Sequence, residues 1–397
     1  MTAHQYDFLI IGGGIFGLSA AIELANRQHT VGLLNPDSIP HHLAASTDIS
    51  KIIRMDYGSD EEYFRMAEAA IAGWEKWNDT LGESLYHETG FLLLCKEPLE
   101  SGRQAFEYQS YRMLRSKGYT PERWDARQLQ QQMPVIDTAT YPEAVYSKRA
   151  GFAESGLVLE KLASYARSLG VGIHEHQTAV TLLKESGKVT GIKTREGAVF
   201  HAGQVIVAAG AHTPFLLPEL SPYIRITGHP VFWLKPANPQ PYTYPHLGVF
   251  AADISNSGWY GFPLHPKHGV VKVARHADGL IIHPDEDDRQ VQPEEIADMR
   301  AMLRQTLPDL ATAPLVYTRR CLYTDTLDGH FWIDRHPEIG NLCVATGGSG
   351  HAFKMGPVLG PMIADVAEGK QHQWSDRYKW RHLDRDTQQQ EEARRKG

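Results

Sequence analysis

Five short stretches of the chain carry side chains whose types and spacing could do chemistry. RRCLYTDT at 319–326 sets Cys321 behind two arginines and before hydroxyl and acidic residues, where a cysteine that only fills a core would be expected among Leu, Ile and Val. Cations beside a thiol favour the nucleophilic thiolate, and Arg319 and Arg320 are the candidates for that role. If 316–324 is a strand, Arg319, Cys321 and Tyr323 share one face and Arg320 takes the other. Lys51 and Arg54, three apart in DISKIIR, offer two cations, and a guanidinium suits a bidentate carboxylate. Lys272 interrupts the β-branched run VVKVARH, so it is either a gatekeeper on an edge strand or a buried functional cation. SGHAFK (349–354) places Lys354 at the expected start of the last helix, whose N-terminus carries partial positive charge.

The fifth stretch, GGGIFG, contains Gly12, Gly14 and Gly17 as G-x-G-x-x-G. It follows the apolar run DFLII and opens LSAAIELANRQ, the strand-turn-helix context in which the pattern signals a dinucleotide. Backbone N–H groups at the helix N-terminus would face the pyrophosphate. The second strand, TVGLLN, ends in Asn35 where an acid usually holds a ribose. Asn35 can still hydrogen-bond a hydroxyl, Asp37 is a near alternative, and the missing acid argues against a simple NAD enzyme.

These residues must be positioned by elements that the rest of the chain supplies. At 397 residues and 42% hydrophobic content, one large core or two intergrown ones are expected. A net charge of −7 gives no reason to expect a nucleic-acid partner. Three cysteines cannot all pair and are too scattered for a zinc site. They suit a reducing compartment, and Cys95 and Cys343 read as core residues. The histidines show no H-E-x-x-H spacing, so no metal is expected. FLII runs straight into glycines, unlike a secretory leader, and no apolar run approaches the roughly 20 residues of a membrane span. A soluble cytoplasmic protein is expected.

A helix is expected from about Ser59, with Ser59 and Glu62 as a capping box and Tyr63, Met66, Ala70, Trp74 and Trp77 along it. DARQLQQQ should stop before Pro134, and 156–170 reads as an amphipathic helix. NLCVAT at 341–346 reads as a strand entering the glycine turn GGSG, and DTQQQEEARRKG as a frayed or exposed tail. The expected fold is α/β plus α+β: a Rossmann-like dinucleotide-binding domain from discontinuous segments, with an inserted mixed-sheet substrate domain. The expected division is 1–85, 152–219 and 322–375 for the first, 86–151 and 220–321 for the second, and 376–397 as a polar tail.

The glycine turn, VIVAAGAHT and CLYTDTLDGHFWIDRHPEIGNLCVATGGSGHAFK together resemble the D-amino-acid-oxidase-like flavoproteins, within them the monomeric sarcosine oxidase and amadoriase group. The resemblance spans nearly the whole chain. It implies FAD, held through an 8α-S-cysteinyl bond at Cys321, which precedes Lys354 by the group's spacing. It also implies a segment under the flavin that includes Ser46 and Lys51; sarcosine oxidases usually carry Arg where Lys51 stands, and DISKIIR is closer to the amadoriase pattern. It implies Arg54 and Lys354 as carboxylate contacts, Lys272 as the oxygen-activating cation, and Tyr260, His276 and Tyr323 along the substrate. Gly347 and Gly350 would allow close approach of the last turn to the flavin. The activity implied is oxidation of the secondary amine of an N-substituted amino acid by O2, giving an imine and hydrogen peroxide, in a monomer that binds only small molecules. Three other readings stay open: a flavin dehydrogenase feeding a quinone or carrier protein, an NAD-dependent dehydrogenase, and a non-catalytic flavin-binding protein.

Overall fold

The computed structural model describes residues 4–103, 105–384, 386–387 and 389–395. Strand β1 (His4–Ile11), helix α1 (Ile15–Asn26) and strand β2 (Val31–Leu34) form the opening unit, with β1 and β2 parallel. The parallel core of this sheet runs Gly172–His174, β2, β1, Val199–Val207 and Leu342–Thr346, in that order. Antiparallel strands Ala179–Glu185, Lys188–Thr194 and Trp332–Arg335 extend it. Both faces of β1 are covered, which is why its sequence is a continuous apolar run rather than an alternation. Phe8 and Ile10 face α1 and the helices Ser155–Ser168 and Gly356–Ala367, whereas Leu9 and Ile11 pack with Phe200, Val205 and Trp332 on the other face.

A second, mainly antiparallel sheet is ordered Leu280–Ile281, Ile224–Leu234, Val271–Arg275, Trp259–Gly261, Val249–Ala252, Phe91–Cys95, Glu143–Ser147 and Glu122–Asp125. The long strand Leu315–Thr326 pairs with Ile224–Leu234 and places Cys321 opposite His229. Helix Pro293–Thr306 covers this sheet through Met299, Met302 and Leu303. Between the two sheets lies a three-stranded ribbon in which β3 (Lys51–Ile53) pairs with Gly151–Ala153, and that strand with Tyr86–His87. Lys51 pairs with Ala153 and Ile53 with Gly151. Lys51 therefore lies on a short strand and Arg54, which is buried, just beyond it.

The amphipathic helix expected from Ser59 is α2 (Glu61–Leu81), with Tyr63, Met66, Ala70 and Trp74 buried. Its N-cap is Asp60, which accepts from the Tyr63 N–H at 3.0 Å, so the Ser59 and Glu62 capping box does not form. Arg377 holds the cap from outside, donating to both Asp60 oxygens at 2.8 and 2.5 Å. The expected helices at 125–132 and 156–170 are Ala126–Gln132, capped by Asp125 and ended before Pro134, and Ser155–Ser168. SGHAFK does not open the last α-helix directly. A 3-10 turn, Ala352–Met355, intervenes, and the α-helix starts at Gly356.

The tail departs furthest from expectation. Glu391, Ala393 and Arg394 are buried, so the segment is neither frayed nor an exposed helix. Residues 388, 396 and 397 of that stretch lie outside the described residues. Among the described residues no helix is long and apolar enough to cross a membrane.

Candidate active site

The glycine turn packs as its spacing requires. A Cβ on Gly17 would meet the Gly12 carbonyl oxygen at 1.9 Å, so strand and helix can approach this closely only without one. No side chain of the N-cap residue, Gly14, caps α1; the Ile15 N–H instead donates to Ser46 Oγ at 3.1 Å. A helix N-terminus met only by a neutral hydroxyl retains its partial positive charge for an anion. Asn35 serves the turn: its Oδ1 accepts from the Gly13 N–H at 2.9 Å and its Nδ2 donates to the Asp37 carbonyl at 2.7 Å. Asp37 itself faces His41, 3.4 Å away.

A cleft opens where the second sheet, β3 and the 347–355 turn meet. Lys51, Arg54, Tyr260, Lys272, His276, Cys321, Tyr323, Gly350 and Lys354 all line it, although they come from β3, three strands of the second sheet and the 347–355 turn. Gly350 has φ +76°, and a Cβ there would meet the Tyr323 ring at 2.3 Å, which lets the turn lie against the Leu315–Thr326 strand. Gly347, also at positive φ, starts the same turn.

Lys272 is buried within the sheet, so the gatekeeper reading is excluded. Its Nζ donates to the Ser50 carbonyl at 2.6 Å and meets Asp48 Oδ2 at 2.7 Å. Burial pulls its titration down to about 8 against the opposing pull of Asp48. Burial also opposes ionisation of Asp48, yet Lys272, Lys51 and Arg319 hold its carboxyl below the usual range. Lys51 is half-buried and stands 5.7 Å from the Phe353 ring centre.

Alternation along Leu315–Thr326 separates the arginines as expected. Arg320 points away and pairs with Glu295 at 2.6 Å. Arg319 turns toward the loop before β3 and donates to the His42 and Thr47 carbonyls. Cys321 is buried against Val231, Ala274 and Tyr260, with Sγ 3.8 Å from the Ala45 carbonyl. Lys272 lines the same cleft as Cys321, and Arg319 lies two residues before it on the same strand. Cys95 and Cys343 differ: both are in apolar cores, and burial pushes the Cys343 thiol up to about 12.

The opposite end of the cleft is a second cationic pocket. Arg54 is buried, with its guanidinium 5.0 Å from the Tyr57 ring centre and 5.2 Å from that of Phe106. Lys354 donates to Tyr57 Oη and to the His351 carbonyl, both at 3.1 Å. Burial lowers Lys354 to about 7, opposed by Glu391. A carboxylate occupies this pocket: Glu391 pairs with Arg54, and its Oε2 lies 3.3 Å from His276 Nε2. Burial opposes its ionisation, but Arg54 and Lys354 hold it well below the usual range. Burial likewise keeps His276 neutral and holds the Tyr260 and Tyr323 phenols protonated. Tyr323 stacks on His229 with ring centres 3.8 Å apart.

Asp48, Tyr57, His229, His351 and Glu391 belong to the site and were not singled out in the sequence. Asp48 had a weak signal, an acid three residues before Lys51. Glu391 had none, since EEARR is indistinguishable from a solvated tail.

Glycine turn, cationic cleft and two-sheet architecture together define a flavin-dependent oxidoreductase. Residues 7–366 match the FAD dependent oxidoreductase (DAO) family, and the chain belongs to it. It is 28% identical to the L-saccharopine oxidase of Schizosaccharomyces pombe over 95% of this chain and 93% of that one. It is 27% identical to the monomeric sarcosine oxidase of Bacillus sp. (strain NS-129), covering 92% and 94%. Among solved structures, the fructosamine oxidase Amadoriase II from Aspergillus fumigatus, in complex with FSA, superposes with a TM-score of 0.83 at 26% identity, covering 100% of this chain and 95% of that one.

The residues present fit FAD. The helix α1 terminus is free of acidic side chains in its first turn, and one cleft collects a cysteine and several cations, two of which, at Arg54 Nη1 and Arg275 Nε, have N–H groups without a hydrogen-bond partner among the described residues.

Proposed function

We propose that the protein is a FAD-dependent oxidase acting on the secondary amine of an N-substituted amino acid, releasing an imine and hydrogen peroxide. The observation that carries this reading is the paired pocket of Arg54 and Lys354, already filled by a carboxylate and opening into the cleft that contains Lys272 and Cys321. Enzymes whose names include saccharopine, sarcosine and N-methyl-L-tryptophan as substrates are relatives over nine-tenths of the chain, which supports an amino-acid substrate with a substituted nitrogen.

Gly12, Gly14 and Gly17 with Ser46 would receive the pyrophosphate, and Asn35 would order the turn beside the ribose. Cys321 is the proposed attachment point of an 8α-S-cysteinyl bond, favoured by Arg319 and Lys272. When bound, the flavin accepts a hydride equivalent from the substrate C–H and passes two electrons to O2. Arg54 and Lys354 hold the substrate carboxylate and so fix the α-carbon. Tyr260 and Tyr323, as neutral phenols, wall the pocket against water. The amine must shed its proton before its lone pair can assist C–H cleavage, and the proton passes to water or to a neighbour such as His276, which burial keeps neutral. Lys51 and Lys272 supply fixed positive charge, and Lys272 is the group for stabilising the anion formed as O2 is reduced. The division into a discontinuous FAD-binding domain and an inserted substrate domain, a monomeric state and a cytoplasmic location belong to the same proposal.

Peroxide production across a panel of N-methyl, cyclic imino, fructosyl and N-carboxyalkyl amino acids tests it, with primary amines and the matching amides as controls. Activity confined to acids with a substituted nitrogen is expected. A yellow protein that none of them reduces, or that reoxidises only with a quinone, would sink the reading. Acid precipitation tests the tether: the colour stays with the wild-type polypeptide and leaves Cys321→Ser.

A further inference from the structure

The segment 389–395 lies across the substrate end of the cleft and is tied down at both sides. Arg394 donates to both Asp325 oxygens at 2.8 and 2.7 Å and to the Ala277 and Asp278 carbonyls at 2.8 and 3.1 Å. Asp325 also accepts from Thr227 Oγ1 at 2.5 Å, and that hydroxyl contacts His229, the residue stacked on Tyr323. Gln389 N–H donates to the Leu327 carbonyl at 3.1 Å, and Gln390 Nε2 to the Thr326 carbonyl at 3.2 Å. On the far side Glu392 accepts from the Ser59 N–H at 3.2 Å and from its hydroxyl. Ala393 is fully buried beside Phe91 and Phe106, rings that also flank Arg54.

This docking delivers Glu391 to Arg54 and leaves its second oxygen beside His276. A substrate carboxylate bound by Arg54 and Lys354 needs the same electropositive volume, and two carboxylates there would repel one another in a water-poor site. We propose that residues 389–395 are an intramolecular strap whose Glu391 carboxylate imitates the substrate's and must be displaced before substrate binds. The strap fills the pocket with a matched anion in the resting protein, so the buried Arg54 charge is never left unpaired. Its effective affinity is then subtracted from that of every carboxylate ligand. Displacement exchanges one carboxylate for another on Arg54, so the buried guanidinium stays paired when the strap leaves. The proposal rests on the reading of Arg54 and Lys354 as a carboxylate site.

The test uses the flavin-loaded full chain and propionate, a carboxylate with no amine to oxidise. Binding is read from the perturbation of the flavin spectrum, and strap movement from amide hydrogen exchange at 389–395. Propionate is expected to speed exchange across that segment. Glu391→Gln, which removes the competing charge, and Arg394→Ala, which loosens the anchor without touching Arg54, should each bind propionate about tenfold more tightly or better. Exchange at 389–395 that propionate leaves unchanged overturns the proposal even if Glu391→Gln binds more tightly, because relief of charge alone gives that. Wild-type affinity in both variants overturns it as well. Neither readout needs turnover: a strap that responds in a protein oxidising no N-substituted amino acid would remove the proposed activity and leave the strap standing.

Discussion

Replacing Asp48 by Asn keeps the size of the side chain against Lys272 and removes its charge. The two groups are 2.7 Å apart and both buried. At an effective dielectric near 20, the attraction at that distance is about 6 kcal/mol. Leaving one member of a buried pair without the other typically costs about 3–5 kcal/mol. A proton can be lost to avoid that cost. At about 1.4 kcal/mol per pH unit, the lower figure moves the Lys272 titration down by roughly two pH units. In the wild type, burial has already brought it to about 8. On the proposed role of Lys272 the ammonium is the form that assists O2 reduction, so reoxidation should be fast where Lys272 is protonated and slow as pH rises through its titration. The wild type should slow as pH passes about 8. Asp48→Asn should slow from well below neutrality, reaching about a tenfold deficit at pH 7. The assay is stopped-flow: the enzyme is reduced by substrate without oxygen, then mixed with aerated buffer, and the return of flavin absorbance is followed across pH. Equal rates and equal pH midpoints in the two proteins would refute the electrostatic role given to the pair.

The remaining predictions concern the substrate end, the flavin turn and the fold. Lys354 is a cation below about 7 and loses its proton as pH rises through that value. Propionate affinity, read from the flavin spectrum, should therefore be flat on the acid side and weaken above it. Gly350→Ala puts a Cβ against the Tyr323 ring in a left-handed conformation, at a cost of about 1–3 kcal/mol. A lower melting temperature and a reduced flavin content should report it. Asp60→Ala removes the cap of α2 and the partner of Arg377, and should cost about 1–2 kcal/mol or more in denaturant unfolding.

Much of the site was legible because its chemistry is concentrated in short stretches with local rules. The glycine spacing in GGGIFG needs only the strand before it and the helix after it, and both are present. Alternation alone separates Arg319 and Cys321 from Arg320 on their strand. A lysine inside VVKVARH could be recognised as unusual, but only the structure supplies Asp48 and Ser50 as its partners, since that pairing joins distant parts of the chain. The cap of α2 was missed by one residue because Ser59 and Asp60 are both good caps, and Arg377 and Glu392 decide between them from elsewhere. The last helix begins later than SGHAFK suggested because the 3-10 turn brings Lys354 to Tyr57 first. The tail was illegible for a physical reason. Its residues are polar and carry no apolar period, and their burial depends on partners waiting at Arg54, His276 and Asp325.

Anaerobic reduction of the flavin by an N-methyl amino acid and by its amide, compared at equal concentration, tests the central claim most directly. The two differ only in the carboxylate that Arg54 and Lys354 are proposed to hold. The account predicts rapid bleaching by the acid and bleaching slower by about a hundredfold or more with the amide, from loss of two charge-assisted contacts. Equal bleaching by both, or bleaching by neither while a primary amine or a hydroxy acid reduces the flavin, would contradict it.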